Sequence, residues 1–200
     1  MVTDKEKMEA QQRSRLAELK PLAEKHGWGK AGTKTLEELA CEIDEGETVL
    51  NRFEFDGGLC RNVRVLRIIV LSHDQERQLR EAFQLWKDGR WRSRSDMFGS
   101  VSEKLRFDEN PAEAVDRALM EELGLAHGPS QRFEIMVSER TEESGSYPGL
   151  MCHFEFHDWI VVLDEDLMAE QYVEEGERKN TYFDWEPATT SVAIEIKPAV

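Results

Sequence analysis

The chain opens on a polar segment whose apolar positions are sparse but recur at helical spacing. These positions are Met8, Leu16, Leu19 and Leu22. They form a weak apolar stripe, which predicts a helix over residues 1 to about 25. After the helix-breaking segment HGWGKAGTK, Thr35 is a candidate N-cap and Glu38 its capping-box partner, so a second helix is predicted to run to about Asp44. We interpret residues 1–47 as a helical N-terminal arm that either packs on the main domain or mediates an oligomer.

Beyond residue 48 the pattern changes to runs that are typical of strands. The segments TVLNRFEF and CRNVRVLRIIVLS flank the turn sequence DGG and predict a β-hairpin. RFEIMVSE, NTYFDW and SVAIEI predict further strands, and LMCHFEFHDWIVVL predicts one bent strand or two. Two segments favour helix: DQERQLREAFQLWK, in which Leu79 and Phe83 lie four residues apart, and the shorter DEDLMAEQY. The mixture does not reduce to simple βαβ repeats.

The stretch NPAEAVDRALMEELG has complete signals for one short helix. Asn110 is a good N-cap, Pro111 suits the first helical position, and Glu113 completes a capping box. Gly124 is placed to end the helix in the left-handed conformation. The sequence therefore predicts a helix over 111–123.

This helix carries two adjacent carboxylates, Glu121 and Glu122, on the same face as Ala118. Val115 and Leu119 lie on another face and are candidate core residues. Neighbouring carboxylates repel each other, and a divalent cation relieves that repulsion because Mg²⁺ prefers carboxylate oxygen. An exposed acidic helix end is the alternative for the pair taken by itself.

Composition narrows the class of protein. The 200 residues suit one domain with an extension, which we divide into the arm, 1–47, and a main domain, 48–200. A net charge of −15 disfavours non-specific binding to nucleic acid or to anionic membranes. There is no apolar run long enough for a membrane helix and no apolar signal segment, and the three scattered cysteines indicate a reducing environment. We therefore expect a cytoplasmic protein.

The stretch around the helix resembles the signature of the Nudix hydrolases, G-x5-E-x7-R-E-U-x-E-E-x-G-U with U apolar. The matching residues are Glu109, Arg117, Leu119, Glu121, Glu122, Gly124 and Leu125. A wider resemblance covers roughly residues 60–187. It implies an α+β fold of Nudix type, an α/β/α sandwich with a mixed central sheet, to which the helical N-terminal arm is added.

Two positions depart from the signature. Glu103 stands where the leading glycine is expected, and Ala118 stands where the family commonly has a glutamate that binds metal or acts as a general base. These departures leave two hypotheses. One is an enzyme with a weakened or rearranged site, and the other is a catalytically inactive Nudix-like module that binds a ligand or a protein.

The resemblance implies hydrolysis of a diphosphate linkage in a nucleoside diphosphate-type substrate, with Mg²⁺ or Mn²⁺ as the metal. Glu121 and Glu122 would bind the metal, and an ion pair between Arg117 and Glu109 would hold the loop on the helix. Glu103 is a candidate for a further metal ligand. Family members often supply a late glutamate, so the segment YVEEGERKN, with Glu174, Glu175 and Glu177, is the place to look for one, and Glu175 is the residue we select as a metal-ligand candidate. A solvated charged loop is the slightly favoured alternative.

Basic residues before and within the signature are candidates for binding the phosphates of a small-molecule substrate. They are Arg90, Arg92, Arg94 and Lys104. The three arginines alternate on one predicted strand face, and arginine binds phosphate bidentately. The alternative is that they neutralise nearby carboxylates. The row His153, Glu155 and His157 is a second candidate for metal binding, but an ordinary solvent-facing row is favoured. A homodimer is compatible with the predicted arm.

Overall fold

A computed structural model describes residues 3–53, 57–93 and 99–189 of the chain. The helices are α1 (Asp4–Glu18), α2 (Lys20–His26), α3 (Leu36–Asp44) and α4 (Pro111–Leu123), with a single 3-10 turn at Glu165–Leu167. The strands are β1 (Val49–Arg52), β2 (Leu59–Leu71), β3 (Arg77–Trp86), β4 (Trp91–Ser93), β5 (Val101–Leu105), β6 (Gln131–Glu143), β7 (Met151–Val162), β8 (Tyr172–Glu175) and β9 (Lys179–Pro187). The predicted α+β class with a mixed sheet is confirmed.

The chain divides into two compact units. The first comprises Met1–Val65, Lys104–Glu109 and Val137–Phe156, and the second comprises Leu66–Glu103, Asn110–Met136 and His157–Val200. Strands β2, β5, β6 and β7 contribute residues to both units. The boundary predicted at residue 47 lies inside the first unit.

The N-terminal helices are part of the first unit's own core. The buried side chains of this core are Leu19, Trp28, Leu39, Leu50, Tyr147 and Leu150. In addition, the Gln12 side chain of α1 pairs with the backbone of Leu50 in β1, donating to its carbonyl at 3.1 Å and accepting from its amide at 2.8 Å. One amide side chain thereby satisfies both backbone hydrogen-bonding groups of Leu50. Strand β1 pairs with β2 on its other side, which confirms the predicted hairpin. The capping box of Thr35 and Glu38 is also confirmed.

A buried ion network links α3 to β2 and β5 within the first unit. The Glu42 carboxylate, 4% exposed, accepts from Arg61 at 2.7 Å and from Lys34 at 2.6 Å. Lys104 lies 3.0 Å from Glu42 and 2.7 Å from Glu47. Burial by itself would raise the pKa of Glu42, but the three cations outweigh it and hold that pKa at about 2.

Among the described residues, the strand order of the sheet is β6-β7-β2-β3-β9-β8, with β4 paired to β3 and β5 to β2. Residues 77–86, which the sequence predicts to be helical, form strand β3 instead. This prediction was wrong because Leu79 and Phe83 fit a helical period, whereas pairing with β9 along nearly the whole strand decides the conformation. Such pairing depends on residues about a hundred positions away and has no local signal.

The remaining strand and helix predictions are mostly confirmed. Segment LMCHFEFHDWIVVL forms the single strand β7, RFEIMVSE lies in β6 and NTYFDW lies in β9. The predicted helix in DEDLMAEQY is reduced to the 3-10 turn. The predicted strand SVAIEI falls outside the described residues. The three cysteines are free thiols.

Candidate active site

Helix α4 spans the predicted residues, and the predicted N-cap Asn110 and the terminal Gly124 are confirmed, whereas the N-cap side chain bonds to Ala112 and not to Glu113 of the predicted capping box. The Asn110 side chain accepts a hydrogen bond from the amide of Ala112, and Gly124 ends the helix at φ 67°. The buried face of the helix consists of Ala114, Val115, Ala118, Leu119 and Leu123. Ala118, the position of the missing glutamate, is fully buried. A longer side chain there would enter the packed interior.

A bulge in β3 places two polar residues on the same face of the sheet. The pairing of β3 with β9 shifts between Glu81 and Phe83, so that Glu81 opposes Phe183 while Gln84 opposes Thr181. Without the extra residue, positions 81 and 84 would point to opposite faces, because side chains alternate along a strand. The bulge therefore turns Glu81 and Gln84 toward the same space.

Strand β5 is fixed by a close approach to β2. Gly99 has φ 83°, and a Cβ atom there would lie 2.8 Å from the carbonyl oxygen of Ile68. The Ser100 side chain bridges two strands, since it accepts from the amide of Val70 and donates to the carbonyl of Leu79. These contacts hold the start of β5, from which Glu103 extends.

These elements enclose a polar cavity of about 270 Å³ within the second unit. Its lining residues are Glu81, Gln84, Ser100, Val101, Ser102, Glu103, Glu122, Glu174, Lys179, Thr181 and Phe183. Four are carboxylates, whereas Lys179 is the one cationic side chain of the lining within the described residues. A cavity of about 820 Å³ in the first unit is larger and is also lined by four carboxylates, but all four are exposed, and two arginines line it with them. The carboxylates of the smaller cavity are buried or half-buried. Chemistry rather than size therefore selects the smaller cavity.

The carboxylates in the cavity constrain one another's ionisation. Burial raises the pKa of Glu122 to about 8, and the negative charges of Glu174 and Glu103 contribute to the rise, while Lys179 opposes it. A hydrogen bond between the side chains of Glu103 and Glu122 also contributes to the raised pKa of Glu122. Glu174 is held in place by Thr181, whose hydroxyl donates to its carboxylate at 2.7 Å.

The structure brings some of the predicted helix residues to the cavity and leaves others outside its lining. Glu122 and Glu103 line it. The Arg117 guanidinium lies 2.8 Å from Glu121 and 3.8 Å from Glu103, next to the cavity. Glu121 is not a lining residue, and its side chain is 54% exposed. The Glu109 carboxylate accepts from the amide of Arg106 at 3.0 Å in the first unit, and its predicted ion pair with Arg117 stays a prediction.

The predicted basic residues lie in three different surroundings. Arg92 donates to the cavity-lining Gln84 at 3.1 Å, and Arg90 pairs with Asp88 at 2.8 Å on the surface. Lys104 is occupied in the ion network of the first unit. The predicted residue Arg94 lies outside the described residues. Only Arg92 is therefore connected to the cavity lining by a described contact.

The late glutamate that reaches the cavity is Glu174, whereas the predicted candidate Glu175 is exposed. The two residues are adjacent on β8, so their side chains point to opposite faces. Sequence reasoning also missed Glu81, Lys179 and Thr181. A signal for Lys179 and Thr181 was present, because alternate residues of a recognised strand share one face. For Glu81 no such signal exists, since β3 was assigned as a helix.

The donor chemistry of the cavity suits a hard divalent cation, because Mg²⁺ and Mn²⁺ prefer carboxylate oxygen. Among the described residues, however, no group of three or more His, Cys, Asp or Glu side chains is close enough to hold a metal ion by itself. The histidines of the row on β7 make pairwise contacts instead: His153 with Thr141 at 2.9 Å, and His157 with Glu134 at 3.1 Å.

In the described part of the chain, no helix has the length and apolar character needed to cross a bilayer.

Comparisons with known proteins yield only distant similarity. No family model and no curated protein matches the sequence. The mMutator MutT protein from Bacillus halodurans is similar in structure, with 17% identity, a TM-score of 0.40, and coverage of 62% of this chain and 67% of that chain. MutT of Aliivibrio salmonicida and Vibrio cholerae is similar over 63% of this chain and 80% of that chain, at 15% identity and a TM-score of 0.34. The C. elegans Ap4A hydrolase is similar over 62% and 79%, at 8% identity and a TM-score of 0.34. At these values the similarity assigns neither a family nor an activity to the chain.

Proposed function

We propose that this protein is a metal-dependent hydrolase that cleaves a diphosphate linkage in a small substrate of the nucleoside diphosphate type. The observation that carries the proposal is the convergence of Glu103, from a strand, and Glu122, from a helix, in one cavity that is rich in carboxylates. The resemblance of residues 109–125 to the Nudix signature supports the same chemistry.

Glu103 and Glu122 are the proposed metal ligands. A divalent cation bound between them would relieve the repulsion between their negative charges. Mg²⁺ usually retains several waters and is bound by one or two carboxylates together with substrate phosphates. A protein cluster of three ligands is therefore not required. When bound, the metal would polarise the phosphoryl oxygens and lower the pKa of a coordinated water.

Other lining residues have separate proposed roles. Lys179 would neutralise charge on a substrate phosphate. Arg92, which donates a hydrogen bond to the lining residue Gln84, would add a second positive charge near the cavity. Glu174, oriented by Thr181, is the proposed general base for the attacking water. Arg117 would act as a positioning residue, because it contacts Glu103 and Glu121 together and so ties β5 to α4.

A hydrolysis panel tests the proposal. The purified 200-residue chain is assayed against nucleoside diphosphate derivatives with Mg²⁺ and with Mn²⁺, and released products are separated by ion-exchange chromatography. We expect turnover that disappears with EDTA and falls about 100-fold or more in Glu122→Gln and in Glu103→Gln. Glu113→Gln, on the exposed first turn of the same helix, is the matched control and should retain activity. Folded protein that hydrolyses no member of the panel at any metal concentration would contradict the proposal.

A second candidate function is a binding module without turnover. It is favoured by Ala118, which is fully buried and stands where the signature has a helix carboxylate. Isothermal titration of the same substrates with metal distinguishes the two functions. Binding without product formation supports the module, whereas metal-dependent turnover excludes it.

A further inference from the structure

Strand β6 is an unusually exposed element of the sheet. It runs unbroken from Gln131 to Glu143 at one end of the strand order, and within the described residues β7 is the strand that pairs with it. All of its residues are exposed except two that are half-buried, Ser138 and Glu142. An edge of this length presents a row of backbone hydrogen-bonding groups to any strand that can align with it.

The middle of β6 is apolar on both faces. Its exposed apolar side chains, with their exposed fractions, are Phe133 (36%), Ile135 (38%), Met136 (48%) and Val137 (52%). Exposed edge strands are ordinarily protected by charges and carry few apolar residues. The charges of β6 are placed toward its two ends, so the centre of the strand is left apolar. A partner that covers the centre would remove this surface from water.

We propose that a second copy of this chain covers β6, with the two β6 strands paired antiparallel about a two-fold axis that passes through Val137. In that register, positions whose numbers add to 274 oppose each other. Arg132 of one copy then opposes Glu142 of the other, and Glu134 opposes Arg140. The symmetry repeats both pairs, which gives four pairs of opposite charge across the two strands.

Neighbouring registers do not have this property. A two-fold axis perpendicular to the sheet keeps each side chain on its own face, so only residues on the same face can oppose each other. The numbers of two opposed residues must therefore add to an even number, and the neighbouring registers have sums of 272 and 276. Centring the axis on Met136 places Arg132 opposite Arg140. Centring it on Ser138 places Glu134 opposite Glu142. Both alternatives oppose like charges, so the sequence of β6 selects the axis at Val137.

The charged residues of β6 are available for such pairs. Arg140 contacts Glu142 of the same strand at 2.7 Å, with side chains 60% and 43% exposed. Arg132 contacts Asp116, and Glu134 contacts His157 at 3.1 Å. These contacts are exposed or partly exposed, and a carboxylate can accept from a second donor while it keeps the first. A partner strand therefore adds to the existing ion pairs without requiring a buried charge.

Charge reversal tests the register directly. Sedimentation equilibrium on the full-length native protein should show a dimer. Glu134→Arg and Arg140→Glu each place like charges opposite each other twice, so each should raise the dimer dissociation constant about tenfold or more. The double variant Glu134→Arg with Arg140→Glu exchanges the two charges and should restore the dimer. Arg13→Glu, an exposed reversal on α1, is the matched control.

Three outcomes would overturn the inference. They are a native chain that is monomeric at high micromolar concentration, single reversals that leave the dimer unchanged, and a double variant as weak as the singles. A monomeric native chain would leave a different protein as the candidate occupant of β6. Circular dichroism and the melting temperature of each variant show whether it is folded. None of these measurements uses catalysis, so the result is independent of the proposed hydrolase activity.

Discussion

The carboxyl groups of Glu103 on β5 and Glu122 on α4 hydrogen-bond to each other inside the polar cavity. Two carboxylates can make this contact only while one of them is protonated. The geometry of the site should therefore change with pH and with the binding of a cation. Glu103, which stands where the Nudix signature has its leading glycine, lines this cavity.

The first prediction concerns stability and pH in Glu122→Gln. The folded pKa of Glu122, about 8, lies above its ordinary value of 4.5, so the folded state holds this proton more tightly than the unfolded state. The native protein should therefore lose stability as pH rises from about 4.5 to about 8, whereas the glutamine variant should not lose this contribution. Melting temperatures measured in EDTA should show the variant above the native protein at pH 9 and close to it at pH 4.5.

Glu113→Gln should follow the native protein across the same pH range, because Glu113 is exposed on the first turn of α4. Adding Mg²⁺ or Mn²⁺ at pH 8 should raise the melting temperature of the native protein and not that of Glu122→Gln. If Glu122→Gln is less stable than the native protein at pH 9, the negative charge of Glu122 does not destabilise the folded state, and the prediction is wrong.

The second prediction concerns Lys179→Met. Burial and the neighbouring glutamates raise the pKa of Glu122, and the Lys179 ammonium opposes them. Loss of the ammonium should therefore move the pH at which turnover reaches half of its maximum to a higher value. If Lys179 also contacts a substrate phosphate, KM should rise more than kcat falls. A full pH–rate profile measures both effects.

Lys87→Met is the matched control for this variant, since Lys87 is exposed and donates to Asn180 at 2.7 Å without lining the cavity. An unchanged pH profile in Lys179→Met would remove Lys179 from the electrostatics of the site. A shifted profile with an unchanged KM would limit its role to Glu122.

The third prediction concerns the buried ion network of the first unit. Glu42→Gln removes the negative charge that compensates the buried Arg61, so we expect a loss of roughly 3–5 kcal/mol in the free energy of unfolding. Because the pKa of Glu42 is lowered to about 2, its contribution is complete above pH 4.5 and is lost as pH falls through 2. The stability difference between native and variant protein should accordingly shrink in acid. Urea unfolding at pH 7 and pH 3 measures it, with the exposed Glu45→Gln as the control.

The fourth prediction concerns Ala118→Glu, which restores the carboxylate of the Nudix signature. Ala118 is fully buried, so the new side chain must displace its neighbours and lose its hydration. We expect destabilisation of at least about 3 kcal/mol at neutral pH, and less in acid, where the carboxyl is protonated. Ala118→Gln has nearly the same volume without the charge and separates the two costs. A stable Ala118→Glu protein with higher turnover would contradict this prediction, because it would show that the site accommodates and uses a carboxylate at position 118.

Some features of the protein follow from local sequence. The ends of α4 are specified by Asn110, Pro111 and Gly124, and the start of α3 by Thr35 with Glu38. Each signal acts within a few residues, because a capping side chain bonds to a backbone amide of its own turn. The hairpin of β1 and β2 is local in the same sense. These parts of the fold were accordingly predictable without knowledge of the rest.

The composition of the site depended instead on contacts between distant segments. Residues 77–86 carry apolar positions compatible with either period, and they became a strand through pairing with β9. Pairing also placed the bulge that turns Glu81 to the cavity, and strand alternation selected Glu174 over Glu175. The sequence by itself determined that a capped helix presents Glu122, whereas the tertiary structure decided which carboxylates meet it. The physical reason is that helix caps are local hydrogen bonds. The register of a strand, and the face to which each of its side chains points, are set by pairing and burial against distant segments.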